Sequence, residues 1–215
     1  MAVDARLIRS ASRPVSGKKL KELRGKRKNE SGQKDKNGLP LKFQRDVDSD
    51  WTVKNGKPIF RMKEHASLDV KSGLVLSSLM SRASEHDTNY FQAAVGKGIH
   101  GDNLPPKVYA DKGCCGQSNR SFLSINGIGD GIMRKDQIKT KLTPLEIERN
   151  RMISKVRYKI EQYFGLSHLH QRGGTAKIHH PGQGGLGPAL WGYGLQHQAS
   201  CSGNRKKGGS CHRIR

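Results

Sequence analysis

Three carboxylates and one arginine carry the chemistry this sequence suggests. Asp4 lies within Ala2-Val3-Asp4-Ala5-Arg6-Leu7-Ile8, and Asp111 closes the apolar run Val108-Tyr109-Ala110 ahead of Lys112-Gly113. Glu161 stands one helical turn after Arg157 in Arg157-Tyr158-Lys159-Ile160-Glu161. Two aspartates at strand-like positions and one glutamate on a helix form an all-oxygen donor set for two divalent cations, Mg²⁺ with Mn²⁺ as substitute. Such a set suits phosphodiester chemistry. Mg²⁺ prefers carboxylates and water, and a metal pair about 3.5–4 Å apart clamps the attacking and leaving oxygens. The plain alternative for Arg157 and Glu161 is a surface i,i+4 ion pair worth about 0.2–0.5 kcal/mol. For Asp4 it is a solvated aspartate near the chain start.

The elements that must position these residues are legible in part. Residues 3–9 read as a strand. Residues 10–50 are polar, with the basic cluster Lys18, Lys19, Lys21, Arg24, Lys26, Arg27 and Lys28, and read as an insertion loop that meets DNA phosphates without reading bases. Ile59 to Leu68 alternates as a strand with Lys63 and His65 on one face. A turn at Val70-Lys71-Ser72-Gly73, where glycine tolerates positive φ, leads to a returning strand over 74–79. His86 and Asp87 open a helix toward Val95, and a cap is the favoured role for the pair. Lys107 to Ala110 is a short buried strand delivering Asp111, 117–124 a short helix, and 132–134 a further strand. Thr143-Pro144-Leu145-Glu146 is a capping box with proline at the first helical position. The helix it opens carries an apolar stripe of Ile153, Val156, Ile160 and Phe164, with Arg157 and Glu161 beside it and Gly165 as its stop.

Composition bounds the partners. The 215 residues hold 40 Lys+Arg against 18 Asp+Glu, a formal charge of +22. That surface suits a polyanion, most simply DNA. No apolar run approaches the roughly 20 residues of a membrane span, and no signal-like stretch opens the chain, so a cytoplasmic protein is expected, nucleoid-associated when on DNA. Cys114 and Cys115 are adjacent, Cys201 and Cys211 lie near the end, and none has zinc-site spacing.

Taken together, these segments resemble the DDE transposases of bacterial insertion sequences, in the insertion sequence four/five superfamily and its Tyr-(2)-Arg-(3)-Glu-(6)-Lys signature group. Val3-Asp4-Ala5 with Ser10-Ala11 resembles the first catalytic segment, and Ala110-Asp111-Lys112-Gly113 the second. Arg149-Asn150-Arg151, Ile153-Ser154, Val156-Arg157, Glu161 and Phe164-Gly165 resemble the third. Between them, Trp51 to Phe60, Lys63-Glu64-His65 and Leu68 to Val75 are similar to the family's hairpin, and Ser84-Glu85-His86-Asp87 to its Val-His-Asp element. The resemblance covers residues 1–177. It implies a ribonuclease-H-like α/β domain with a mixed sheet and flanking helices. It also implies cut-and-paste DNA transposition, in which water and then a DNA 3′-hydroxyl attack a phosphodiester. Asp4, Asp111 and Glu161 are then both catalytic residues and metal ligands, Arg157 and Lys112 support them with positive charge, and Lys63 and His65 approach the DNA backbone. Implied partners are the double-stranded terminal inverted repeats, target DNA and further copies of the chain.

The chain departs from the pattern at Ser154, where the signature has tyrosine, and at His168, where it has lysine. Family members carry a DNA-end-binding region before the first catalytic strand, so a domain shortened at that end, with reduced stability, is expected. After Glu161 no acidic residue follows, and 178–215 is Gly-rich without helical periodicity. Residues 178–199 can be back-translated so that the neighbouring frame reads as the family's C-terminal segment. The expectation is a one-nucleotide shift near codons 177–178, leaving a disordered tail. A second function class, a non-enzymatic basic nucleic-acid-binding protein, fits the same charge. Metal-dependent nicking of end-sequence DNA separates the two.

Overall fold

The computed structural model describes residues 1–10, 12–29, 46–101, 103–137, 140–171 and 173–175. The centre of the polar insertion, the side chains of Arg27 and Lys28, and the tail from 178 lie outside the described residues. Six strands form one sheet: β1 (Ala2–Arg9), β2 (Asp50–Lys54), β3 (Lys57–Leu68), β4 (Val75–Arg82), β5 (Lys107–Ala110) and β6 (Gly129–Ile132). The helices are α1 (Gly17–Asn29), α2 (Asp87–Gly98), α3 (Gln117–Ile125) and α4 (Pro144–Gln171). Strand order is β2-β3-β1-β5-β6, with β4 also on β3. β1 is antiparallel to β3 and parallel to β5, and β5 is parallel to β6, so the sheet is mixed. This is the α/β architecture with flanking helices that the sequence implied.

Local chemistry accounts for the turns. Asn55 and Gly56 both adopt positive φ, 52° and 73°, which a two-residue hairpin between β2 and β3 requires. Between β3 and β4, Asp69 accepts the Ser72 amide at 2.8 Å and Gly73 sits at φ 76°. His86 is the N-cap of α2 and accepts the Thr88 amide, fulfilling the cap expected of the His86-Asp87 pair.

β1 is buried on both faces, and side-chain alternation divides its residues between two cores. Val3 joins Val108, Ala110 and Ile132 beneath Phe91 and Val95 of α2 and Leu123 of α3. Ala2 and Ala66 face the other way, against Ile160 and Tyr163 of α4. A third cluster of Leu20, Val47 and Phe60, with Trp51 against it, lies at the far end of the sheet.

Three expectations are corrected. Within the polar insertion, residues 17–29 form α1 and not a loop. Leu20 is buried against Val47 and Phe60, and Arg24 donates to Val47 O at 2.9 Å and Ser49 O at 3.0 Å. One apolar anchor and one satisfied guanidinium hold a helix whose composition is otherwise solvated. Gly165 does not end α4, which runs to Gln171. Arg6 donates to Phe164 O at 3.0 Å and to Ser167 Oγ at 2.8 Å, so the turns around Gly165 are tied to β1. Glycine stops a helix where the chain needs positive φ, and Gly165 is not among the positive-φ glycines. The strand expected at 132–134 lies at 129–132. At Arg134 the Asn150 side chain of α4 takes over both backbone groups, accepting its amide at 2.8 Å and donating to its carbonyl at 2.9 Å.

Candidate active site

Parallel pairing of β1 and β5 sets Ala2 against Tyr109 and Val3 against Ala110. Continuing that register by one step brings Asp111, the residue after β5, next to Asp4 of β1. Beyond Asp111 the chain tightens into a 3₁₀ turn, Lys112–Cys114, with the Cys114 amide on Asp111 O at 3.0 Å. Asp4 shares the face of Ala2, which α4 covers.

α4 is held in register from its first turn. The Thr143 amide donates to Glu146 Oε2 at 3.0 Å, and the Glu146 amide donates to Thr143 Oγ1 at 3.3 Å, completing the reciprocal cap. Its buried stripe is Asn150, Ile153, Arg157, Ile160, Tyr163 and Ser167. Arg157 therefore lies within the buried stripe, not beside it, and Glu161 stands on the exposed flank.

Arg157 is where the three carboxylates meet. Its Nη2 donates to Asp4 Oδ2 at 2.7 Å, its Nη1 reaches Asp111 Oδ1 at 3.5 Å, and Glu161 Oε1 lies 3.9 Å from Nη2. Asp4 Oδ1 accepts the Ala5 amide at 2.8 Å. Burial pushes the Asp4 carboxyl above its usual range, against the opposing pull of Arg157 and of the Ala5 amide. Asp111 and Glu161 are open to solvent, with side chains 48% and 59% exposed. Arg157 Nε is buried and has no hydrogen-bond partner. As placed, the carboxylates surround a guanidinium, and among the described residues no group of three His, Cys, Asp or Glu forms a ready metal cage. The donor set fits a hard divalent cation by its chemistry. It is carboxylate oxygen throughout, it gathers already round one positive charge, and two members face water.

The remaining sequence candidates divide sharply. Lys112 is exposed on the turn after Asp111. Lys63 is turned inward: its Nζ donates to Glu85 O at 2.6 Å and lies 3.0 Å from Asp87 Oδ1, a charge contact without an aligned hydrogen bond on that oxygen. His65 is buried, bonded through Nε2 to Ser81 Oγ at 2.8 Å and stacked on Tyr90. A sealed imidazole does not reach a DNA backbone, so the approach expected of His65 is corrected to a structural role. Arg24 is likewise engaged, with Asp50 3.2 Å away besides its two carbonyls. Lys19 and Lys26 flank Glu22 at 3.2 and 3.0 Å on the exposed side of α1, where Lys18 is also exposed.

Sequence reasoning missed how Asp87 contributes. Thr88 Oγ1 donates to Gly113 O at 2.9 Å, and the Asp87 carboxylate lies against Gly113, so the start of α2 braces the turn that carries Asp111. The field of this acidic corner shows at Cys114, whose thiol is pushed up to about 12, first by burial and then by Asp87, Asp4 and Asp111. Only the adjacency of His86-Asp87 hinted at this in the sequence.

A mixed sheet with one aspartate inside a strand, a second just past the end of the parallel neighbour and a glutamate on a long covering helix defines a class of domain. Residues 1–174 match the family model described as a transposase DDE domain, and the chain belongs to that family. It is similar to the transposase for insertion sequence element IS1106 of Neisseria meningitidis serogroup B, at 32% identity over 168 residues, or 77% of this chain and 52% of that relative. The chain spans about half the length of this curated relative. The family generally works with divalent metal ions. No helix among the described residues is long and apolar enough to cross a membrane.

Proposed function

We propose that this chain carries the catalytic centre of an insertion-sequence transposase, with Asp4, Asp111 and Glu161 as the ligands of two Mg²⁺ ions. Its substrates are double-stranded DNA at the element's terminal repeats and at the target, engaged by more than one copy of the chain. The observation that supports this most directly is the convergence of three carboxylates from β1, the end of β5 and α4 on one buried arginine. When bound, the ions supply charge stabilisation at the attacking and leaving oxygens of the phosphodiester.

The chain's own residues supply position. Asp4 is the fixed ligand: its backbone is paired with Ala66 of β3, Val3 before it is paired with Ala110 of β5, and its two oxygens are held by Ala5 N and Arg157. Asp111 and Glu161 are the solvent-facing ligands. Arg157 orients Asp4 and Asp111 and offsets their mutual repulsion. Lys112, exposed next to Asp111, is suited to meet a phosphate oxygen. In the reaction a water oxygen bonds to phosphorus as the 3′-oxygen leaves with a proton. The oxygen of that 3′-hydroxyl then bonds to a target phosphorus, the target's bridging 3′-oxygen leaves, and the hydroxyl proton ends on that leaving oxygen. Positioning and charge neutralisation account for such a reaction without a covalent protein intermediate.

The test is Asp111→Asn in the full chain, assayed on duplex DNA carrying the element's ends with Mg²⁺. Cleavage is expected to fall at least about a hundredfold while DNA binding and melting temperature stay close to wild type. Equal loss of binding and cleavage would overturn the metal-ligand role.

A further inference from the structure

At the end of β1 remote from Asp4, a groove of about 570 Å³ is lined by Arg9, Arg13, Arg61, Trp51, Phe60 and Thr175. Five residue steps of strand run from Asp4 to Arg9, roughly 17 Å. Arg9 and Arg61 are directly opposed partners in the β1–β3 ladder, so their side chains leave the same face of the sheet. Like charges placed directly opposite on adjacent strands destabilise a sheet unless something offsets them.

Several arginines elsewhere in the molecule are offset internally. Arg6 meets Glu64, Arg24 meets Asp50, Arg120 and Arg149 meet Asp130, and Arg157 meets Asp4. Arg9, Arg13 and Arg61 form no ion pair among the described residues; Asp50 of β2 stands opposite Arg61 on its other side, but its carboxylate is engaged by Arg24 and Ser84. Their setting is nonetheless firmly built. The Arg9 amide donates to Gly174 O at 2.7 Å on one side of β1, and Arg61 pairs with it on the other. The strands that carry them are fixed too: on the opposite face of the sheet, Trp51 Nε1 donates to Val15 O at 2.7 Å, and the indole lies 5.6 Å from the Phe60 ring, centre to centre. Guanidiniums without an ion-pair partner on a rigid frame match the phosphates of a sugar–phosphate backbone.

We infer that this groove is a DNA-backbone site, separate from the carboxylate centre, that holds duplex DNA without taking part in cleavage. The inference rests on the proposed transposase reading, because that reading supplies the polyanion. It adds the residues that grip the polyanion away from the scissile phosphate.

The experiment measures binding of a fluorescein-labelled duplex to the full chain by anisotropy across a salt series. Every phosphate that the protein ceases to neutralise lowers the slope of log K against log salt by about 0.9. Arg9→Gln/Arg61→Gln is therefore expected to reduce the slope by about 1.8. The charge-matched pair Lys71→Gln/Lys97→Gln, at exposed positions outside the groove, is expected to leave it within about 0.5. Arg9→Lys/Arg61→Lys keeps both point charges and is expected to restore the wild-type slope, which shows that the weaker salt dependence of the glutamine pair is not misfolding. A glutamine pair with the wild-type slope, or one no different from the Lys71/Lys97 control, would overturn the inference. Cleavage assays on the same proteins separate the two ideas. Cleavage by wild type with an unmoved slope sinks the groove alone. A groove-dependent slope with no metal-dependent cleavage by wild type sinks the transposase reading and leaves the groove standing.

Discussion

Two arginine–carboxylate clusters sit two residues apart on the α4 face of β1, and they are built in opposite ways. Around Arg6 everything is closed. Glu64 is 1% exposed, accepts from Arg6 Nε at 2.7 Å, from Ser78 Oγ at 2.8 Å and from Tyr163 Oη at 3.1 Å, and Arg6 spends its other nitrogens on α4. Burial, reinforced by Glu64, pushes the Tyr163 hydroxyl well above its usual range, so it remains a donor. Around Arg157 the same residue types are left open. One carboxylate is buried, two face water, and one guanidinium nitrogen has no partner. A satisfied buried network pins β1, β3, β4 and α4 together and rigidifies them. An unsatisfied one next to it holds charge ready for something from outside. The first fixes the helix so that the second is in place.

Breaking the closed cluster is expected to have the largest effect. Glu64→Gln leaves Arg6 buried without its counter-charge and is expected to cost about 3–5 kcal/mol of stability, read as a lower urea midpoint. That is a large share of the roughly 5–15 kcal/mol typical of a domain. Asp111→Asn in the open cluster is expected to do the reverse, with cleavage lost and the midpoint moved by less than about 1 kcal/mol. If the two substitutions shift the midpoint alike, the distinction between a structural and a functional cluster fails.

A pH series sharpens the comparison. His65, sealed beside Glu64 on the opposite face of β3, has its imidazole lowered to about 4, by burial first. Above about 6.5 it is neutral folded and unfolded. Between there and about 4 the unfolded chain takes a proton that the folded chain refuses, so stability falls as pH falls. The contribution of His65 to that fall between pH 7 and 4.5 is expected to be about 2–3 kcal/mol. The urea midpoint of His65→Gln should drop correspondingly less over that interval, and an identical drop would remove His65 from the account.

The smallest effect is expected at the far end of the helix that carries both clusters. Thr143→Ala removes the cap and should cost about 1 kcal/mol, seen in the melting temperature, with cleavage per folded molecule unchanged. A loss of cleavage larger than the loss of stability would mean that the start of α4 positions Glu161 more directly than the packing shows.

Much of this arrangement was legible beforehand because it is written locally. The capping box at Thr143, the turn at Gly73, the His86 cap and the short strand before Asp111 each depend on a few neighbouring residues, and each stands where its chemistry puts it. The segments carrying Asp4, Asp111 and Glu161 were recognisable for the same reason, since each motif is short. What failed needed distant partners. Leu20 and Arg24 make α1 a helix only because Phe60, Val47 and Asp50 wait across the fold, and Gly165 stays helical because Arg6 reaches it from β1.

The residue types, their local signals and the excess of positive charge were therefore determined by the sequence alone, because capping, turn geometry and net charge act over a few residues or over the whole chain at once. Which charges face each other was decided only by the tertiary structure. Nothing in the spacing of Lys63, His65, Arg9 and Arg61 along β1 and β3 says that the first two are engaged inside and the last two are left for solvent. That depends on strand register and on which helix covers which face, and both are settled by packing between segments far apart in the chain.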